Sequence, residues 1–188
     1  MKNNIKAVEQ GAAGIAGGNG YSEDISAPRF TADFECIGAD GLPKWRTKFK
    51  NVVVDQGKGL LINRAFGFAS NSSQVWYMGL HSGTNTTNST MVISGAGSQG
   101  ATASEVGNYG ANRPSITFGS VYTTGQATAT ASYGFTAGTQ TVSGAFIACG
   151  VQATAATAGG YLYSFGGFAA SRQVQSNDTL NVTVSLNF

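Results

Sequence analysis

Beyond residue 64 the chain has only four side chains of the Asp, Glu, Lys and Arg types, Glu105, Arg113, Arg172 and Asp178, together with a single histidine, His81. A Ser-His-Asp relay would have to be assembled from His81 and Asp178 or a distant N-terminal acid, and no nucleophile-elbow motif accompanies them. Glu105 and Asp178 are the two carboxylates that glycoside hydrolysis would require. Each has a simpler use: Asp178 follows Ser176-Asn177 in a turn, and Glu105 stands near Arg113 as a structural ion-pair partner. His81 has no second His, Cys pair or carboxylate cluster at metal-ligand spacing, so it reads as structural. Gly17-Gly-Asn-Gly20 lacks the strand-to-helix context and the lysine of a phosphate loop. The expectation is a chain with no catalytic residue, no cofactor and no metal site, and not an enzyme.

The remaining charges are concentrated at the other end. Nine of the eleven Lys and Arg, and seven of the nine Asp and Glu, lie within residues 1–64, and the rest of the chain is dominated by Gly, Ser, Thr, Ala and Asn. Such a stretch suits a rigid β-rich block whose surface meets other protein subunits. A formal net charge of +2 gives no electrostatic case for a nucleic-acid partner, and with 11% aromatic residues the chain has the material to fold. No apolar run approaches the ~20 residues that cross a bilayer, so no membrane partner is expected. Cys36 and Cys149 sit in apolar, strand-like contexts and read as buried thiols rather than a disulfide. Lys2 and Lys6 could open a signal peptide, but Glu9, Gln10 and the Gly-rich run after them do not supply an apolar core for one.

Two units position these residues. Residues 1–29 form a Gly-rich extended arm in which Ile5, Val8, Ile15, Tyr21 and Ile25 follow neither helical nor strand period. Such a segment is either a disordered tail or an arm that orders on a neighbouring subunit, and the second reading makes those five residues partner contacts. Residues 30–188 carry strand patterns. Phe30–Ile37 and Lys44–Val54 flank the turn chemistry of residues 38–43, with Trp45, Thr47, Phe49 and Val53 on one face. The opposite face presents Arg46, Lys48 and Lys50, as solvated edge protection or as a contact for an acidic partner. Asp55-Gln-Gly-Lys-Gly59 breaks the strand, and residues 60–66 form one short helix. A dense strand around Trp76 and Tyr77 is assigned to structure, a long loop spans 82–104, and further strands follow at 115–121, 127–135, 141–149 and 160–168. Tyr161, Tyr163, Phe165 and Phe168 read as core packing. In residues 179–188, Leu180, Val182, Val184, Leu186 and Phe188 alternate without error with polar residues, which places that strand inside a sheet. The fold class is all-β: an antiparallel β-sandwich, jelly-roll or Ig-like, with one short helix and the N-terminal arm.

The order of several motifs is recognisable: Asn51-Val-Val-Val-Asp-Gln-Gly before Leu60-Leu61, Val75-Trp-Tyr-Met-Gly-Leu80, and Glu105 leading to Tyr109-Gly-Ala-Asn-Arg-Pro-Ser-Ile-Thr-Phe118. Gly144-Ala-Phe-Ile147, Gly160-Tyr-Leu-Tyr-Ser-Phe-Gly-Gly-Phe168 and the closing Asp178–Phe188 complete the series. Over about residues 44–188 the chain resembles a family of small accessory structural proteins of tailed bacteriophages. The family tends to carry a His and a Trp after an Asp-Thr-Met stretch, whereas here Ser89-Thr-Met91 leads to neither, so no contact of that loop carries over. The resemblance implies a virion component without catalytic residues. One expectation is a capsid cement or decoration protein on the shell exterior, assembled in the host cytoplasm. Its partner is the major capsid protein, and it self-associates as a dimer or trimer. The other is a tail or head-fibre protein that binds host-surface glycans through exposed aromatics and the 82–104 loop.

Overall fold

A computed structural model describes residues 29–66, 75–83, 93–94, 98–99, 103–107, 109, 112–119, 125–150 and 161–187. The arm residues up to 28 lie outside this set, while Arg29, assigned to the arm by the sequence, already pairs with Asn187 as the first residue of a strand.

Among the described residues the chain is all-β with one helix. The strands are β1 (Arg29–Ile37), β2 (Pro43–Val53), β3 (Trp76–Gly83), β4 (Ile93–Ser94), β5 (Ser98–Gln99), β6 (Ala103–Glu105), β7 (Ser115–Ile116), β8 (Gln126–Gly134), β9 (Thr139–Cys149), β10 (Tyr161–Gln175) and β11 (Thr179–Asn187). All their pairings are antiparallel. The two layers expected of a sandwich are joined at their margins. β2 pairs with β1 as far as Asn51 and then bends away, so that Val52 and Val53 pair with Phe165 and Ser164 of β10. On the far side, Gly119 just after β7 donates its N–H to Thr128 O of β8 at 3.1 Å. The path β8-β11-β1-β2-β10-β9-β3-β7 is therefore an eight-strand, nearly closed sheet around one core.

That core follows from period-two burial. In β11 the side chains of Leu180, Val182, Val184 and Leu186 are buried, and in β8 those of Ala127, Ala129, Ala131 and Tyr133. β11 lies between β1 and β8, inside the sheet as its alternation requires. Aromatic rings bridge the two halves edge-on: Phe30 meets Tyr163 at 5.2 Å and Phe34 meets Phe168 at 4.8 Å between centroids. β9 differs from β11 because residues 142–149 are buried on both faces. A second cluster of Val54, Phe146, Ala148, Leu162 and Phe165 covers its outer side. Phe146 lies so close over Gly79 of β3 that a Cβ there would stand 2.0 Å from the ring.

The helix begins earlier than the sequence suggests. α1 spans Asp55–Ala65, and the segment read as a strand break, Asp55–Gly59, is its first five residues. Gly57 is there for packing, since a Cβ would lie 2.2 Å from the Tyr163 carbonyl oxygen. The Gln56 side chain also accepts the Leu162 N–H at 2.7 Å, fixing the helix to β10. Part of the expected 82–104 loop is strand: Ser82 and Gly83 close β3, and β4, β5 and β6 extend its sheet. Residues 84–92 lie outside the described set. Of the expected strand at 115–121, Ser115–Ile116 are strand, residues 117–119 are not, and 120–121 lie outside the described residues; the one at 160–168 is described from Tyr161 and continues to Gln175 past a register shift between Gly167 and Arg172.

Candidate functional site

Strands β2, β1, β11 and β8 present one polar outer face. Alternation turns Arg46, Lys48 and Lys50 outward on β2, opposite Glu35, Asp33 and Thr31 of β1 in register. Arg46 donates from Nε and Nη2 to Glu35 Oε1, and Lys48 Nζ lies 3.3 Å from Asp33 Oδ2. Two of the three basic residues singled out in the sequence are thus neutralised by the neighbouring strand. Lys50, opposite Thr31, has no ion pair among the described residues. The face continues without charge across β11 and β8, where Asn181, Thr183 and Ser185 stand opposite Ser132, Thr130 and Thr128, and Ser132 Oγ donates to Asn181 Oδ1 at 2.9 Å. Asp33, Glu35, Arg46, Lys48, Asn181 and Thr183 border a shallow open hollow of about 460 Å³.

At one end of this face Asp178 is buried beneath Lys44. Its Oδ2 accepts from Lys44 Nζ at 2.8 Å and from the Gln175 N–H at 2.8 Å, and the Cys36 thiol lies 3.8 Å away. Burial pushes the Asp178 carboxyl up, but the hydrogen bonds from Lys44 and Gln175 outweigh it and hold it below the usual carboxylate range. The hydrogen bond to Asp178 moves Lys44 in the opposite direction, upward. Burial, with the neighbouring carboxylate, raises Cys36 to about 11. A thiol so held stays protonated and is a poor nucleophile.

The second charged cluster lies at the edge of β3. Glu105 stands opposite His81 in register, and Arg113 grips its carboxylate with two bonds, Nε to Oε1 at 2.7 Å and Nη2 to Oε2 at 2.6 Å. The Tyr109 hydroxyl donates to the same Oε1 at 2.8 Å. The Arg113 and Glu105 side chains are 0% and 4% exposed, and the guanidinium sits 5.2 Å above the centre of the Phe146 ring. Burial, followed by the charge on Glu105, pushes the Tyr109 phenol well above its usual range. His81 is fully buried, with Nε2 2.8 Å from Gly166 O and its ring stacked on Phe165 at 4.1 Å. A carbonyl partner makes Nε2 the protonated nitrogen of the neutral ring. Desolvation lowers its pKa to about 4, against a smaller upward effect of backbone hydrogen bonds.

Both carboxylates that could have served a glycosidase are committed to their own cations, Glu105 to Arg113 and Asp178 to Lys44. Among the described residues no three His, Cys, Asp or Glu side chains gather as a metal would require, and no helix is long and apolar enough to cross a membrane. Cys36 and Cys149 are buried free thiols. Trp76 and Tyr77 are half-buried, and Trp76 packs edge-on against Tyr163 at 5.1 Å. Of the aromatic run in β10, Tyr163, Phe165 and Phe168 are buried and Tyr161 is exposed.

No family model, curated protein or solved structure matches the chain.

The arm residues Ile5, Val8, Ile15, Tyr21 and Ile25 lie outside the described residues. The sequence reading missed Tyr109 as the third member of the Glu105 cluster, although its spacing of four residues from Glu105 was a usable signal. It also missed Lys44 as the partner of Asp178, for which a separation of 134 residues offers no local signal.

Proposed function

We propose that this protein is a bacteriophage capsid cement, or decoration, protein: a non-enzymatic β domain that lies on the outer surface of the shell, contacts the major capsid protein and braces it. The observation that carries the reading is the polar outer face. Most of its charges are already matched, Arg46 to Glu35 and Lys48 to Asp33, which leaves Arg29 and Lys50 without an ion pair among the described residues, and the rest is mainly short hydroxyl and amide side chains. Covering such a face leaves few charges stranded and immobilises few long side chains, which are the two main losses when proteins associate. Weak contacts of this kind become effective when repeated over a lattice. Dimeric or trimeric association of the chain itself fits the same surface chemistry. The resemblance of the motif order to that of accessory phage proteins is a further motive for this reading.

A tail or head-fibre protein binding host glycans is the alternative. It calls on exposed aromatic rings, and β10 leaves only Tyr161 of its four available.

The test is the copy number of this protein in purified virions, measured by quantitative mass spectrometry against the major capsid protein. A ratio near one, or a simple fraction of it, is expected. A handful of copies per particle would move the protein to the tail or a fibre, and its absence would overturn the structural reading.

A further inference from the structure

We propose that the outer face of β1 and β2 is self-complementary and takes a second copy of this chain, through a two-fold axis that runs between the two strands and parallel to them. The face carries its charges in two rows. Arg46, Lys48 and Lys50 stand on β2, directly opposite Glu35, Asp33 and Thr31 on β1. Rotation about that axis lays the basic row of one copy over the acidic row of the other without shifting either along the strands, so Arg46 meets Glu35 of the second copy and Lys48 meets its Asp33. Each ion pair within a copy then forms a four-charge square with its symmetry mate. The other two-fold axis in the plane of the face, across the strands, would lay the basic row on itself, so the charge pattern selects the first arrangement.

The two basic residues left over do not oppose this contact. Lys50 falls over Thr31 of the second copy, and Arg29, whose register partner is Asn187 of β11, lies at the end of β1 beyond the paired rows. Arg46 and Lys48 are exposed and border a hollow together with Asp33 and Glu35, so the long basic side chains of a second copy have room to reach the carboxylates. Aligned sheets cross at about 30°, and the two pairs stand only about 7 Å apart along the strands, so the match survives the crossing. Two strands of about nine residues present roughly 300 Å² per copy, less than a standard interface, and the dimer is accordingly weak and salt-sensitive. The rows of β11 and β8 stay outside the overlap. The inference rests on the reading of this face as a contact surface, and it does not require the partner of the remaining rows to be a capsid.

The test is sedimentation equilibrium of the full chain, up to a concentration of about 1 mM, where a dimer with a dissociation constant in that range is half formed. The wild type is expected to self-associate, about tenfold more weakly at 500 mM than at 50 mM salt. Asp33→Lys/Glu35→Lys makes the face wholly basic and Arg46→Glu/Lys48→Glu makes it mainly acidic. Each should be monomeric alone, and the two mixed should form a heterodimer tighter than the wild-type dimer. The fourfold exchange Asp33→Lys/Glu35→Arg/Arg46→Glu/Lys48→Asp restores every pair within and between copies, so it should dimerise like the wild type even if a charge-rich double variant folds poorly. A monomeric wild type at about 1 mM, self-association of both double variants, or loss of the dimer in a folded fourfold exchange would overturn the proposal. Because only the purified chain is measured, such a failure leaves the virion copy number, and with it the capsid reading, to be decided separately.

Discussion

Substituting Arg113 with Met removes the cation from beneath a fully enclosed carboxylate, and the expected loss of stability follows from the enclosure. The Arg113 and Glu105 side chains are 0% and 4% exposed, so water cannot replace what the guanidinium supplied. The substitution removes two charge-assisted hydrogen bonds, at 2.7 and 2.6 Å, and the cation that sits over Phe146. Breaking one side of such a buried pair costs about 3–5 kcal/mol, mostly through the charge left behind. At roughly 2–4 °C per kcal/mol for a domain of this size, the melting temperature should fall by about 6–20 °C. Glu105→Gln, which strands the guanidinium instead, should cost a similar amount. The double variant Glu105→Gln/Arg113→Met leaves no buried charge and should recover much of the loss, since a buried pair replaced as a whole is close to neutral. Urea unfolding of the four proteins at pH 7, closed as a double-mutant cycle, measures the coupling. A loss below about 1 kcal/mol for Arg113→Met would refute the reasoning, because that is the range of an exposed pair. Simple additivity in the double variant would do the same.

His81 has a folded-state pKa of about 4, below its unfolded value. Its contribution to stability is complete above the unfolded pKa of about 6.5 and is lost as pH falls toward the folded value, amounting to roughly 2 kcal/mol between pH 7 and 4.5. Urea midpoints of the wild type and His81→Gln at those two pH values should show that loss in the wild type only. Two glycines in α1 should respond with opposite signs: Gly57→Ala collides with the Tyr163 carbonyl, whereas an added Cβ at Gly59 meets nothing within 4 Å. Thermal melts should show Gly57→Ala destabilised by about 1–3 kcal/mol despite the better helix propensity of Ala, and Gly59→Ala stabilised by up to about 1 kcal/mol. Finally, Ile5→Ser, Val8→Ser and Ile15→Ser together should weaken binding to purified capsids in a co-sedimentation assay and leave the melting temperature of the free protein unchanged. A drop in that temperature would place the distal arm in the domain rather than on a partner.

What the sequence made legible was decided by how many faces a segment buries. β11 buries one face, so its alternation fixes both its structure and its orientation. β9 buries both faces over residues 142–149, and its strand character rests on composition alone. The start of α1 was hidden because glycine is ambiguous in a sequence: Gly57 reads as a breaker, yet its place is required by the backbone of Tyr163. The charges behave in the same way. Glu105 and Arg113 are eight residues apart in a stretch nearly free of other charge, so their pairing could be anticipated, whereas Asp178 reads as a turn residue until the fold brings Lys44 to it. Asp178 does follow a turn, with Asn177 at φ 66°, and the local reading is incomplete rather than mistaken.

The two kinds of ion pair point to different uses. Arg113–Glu105 is enclosed, and its removal is costly to the fold. Arg46–Glu35 and Lys48–Asp33 are exposed on the sheet face, with the two basic side chains 71% and 62% accessible. Exposed pairs contribute about 0–1 kcal/mol to stability, too little to account for a matched row of them by folding alone. On a surface that stays in water, unmatched lysines would serve solubility at least as well. On a surface that another protein covers, each unmatched charge would be desolvated without compensation, whereas a pair already formed carries its partner with it. If the face is covered as proposed, the matched charges of β1 and β2 and the uncharged rows of β11 and β8 would be covered together, and Lys50, which has no ion pair among the described residues, is where a partner carboxylate would be expected.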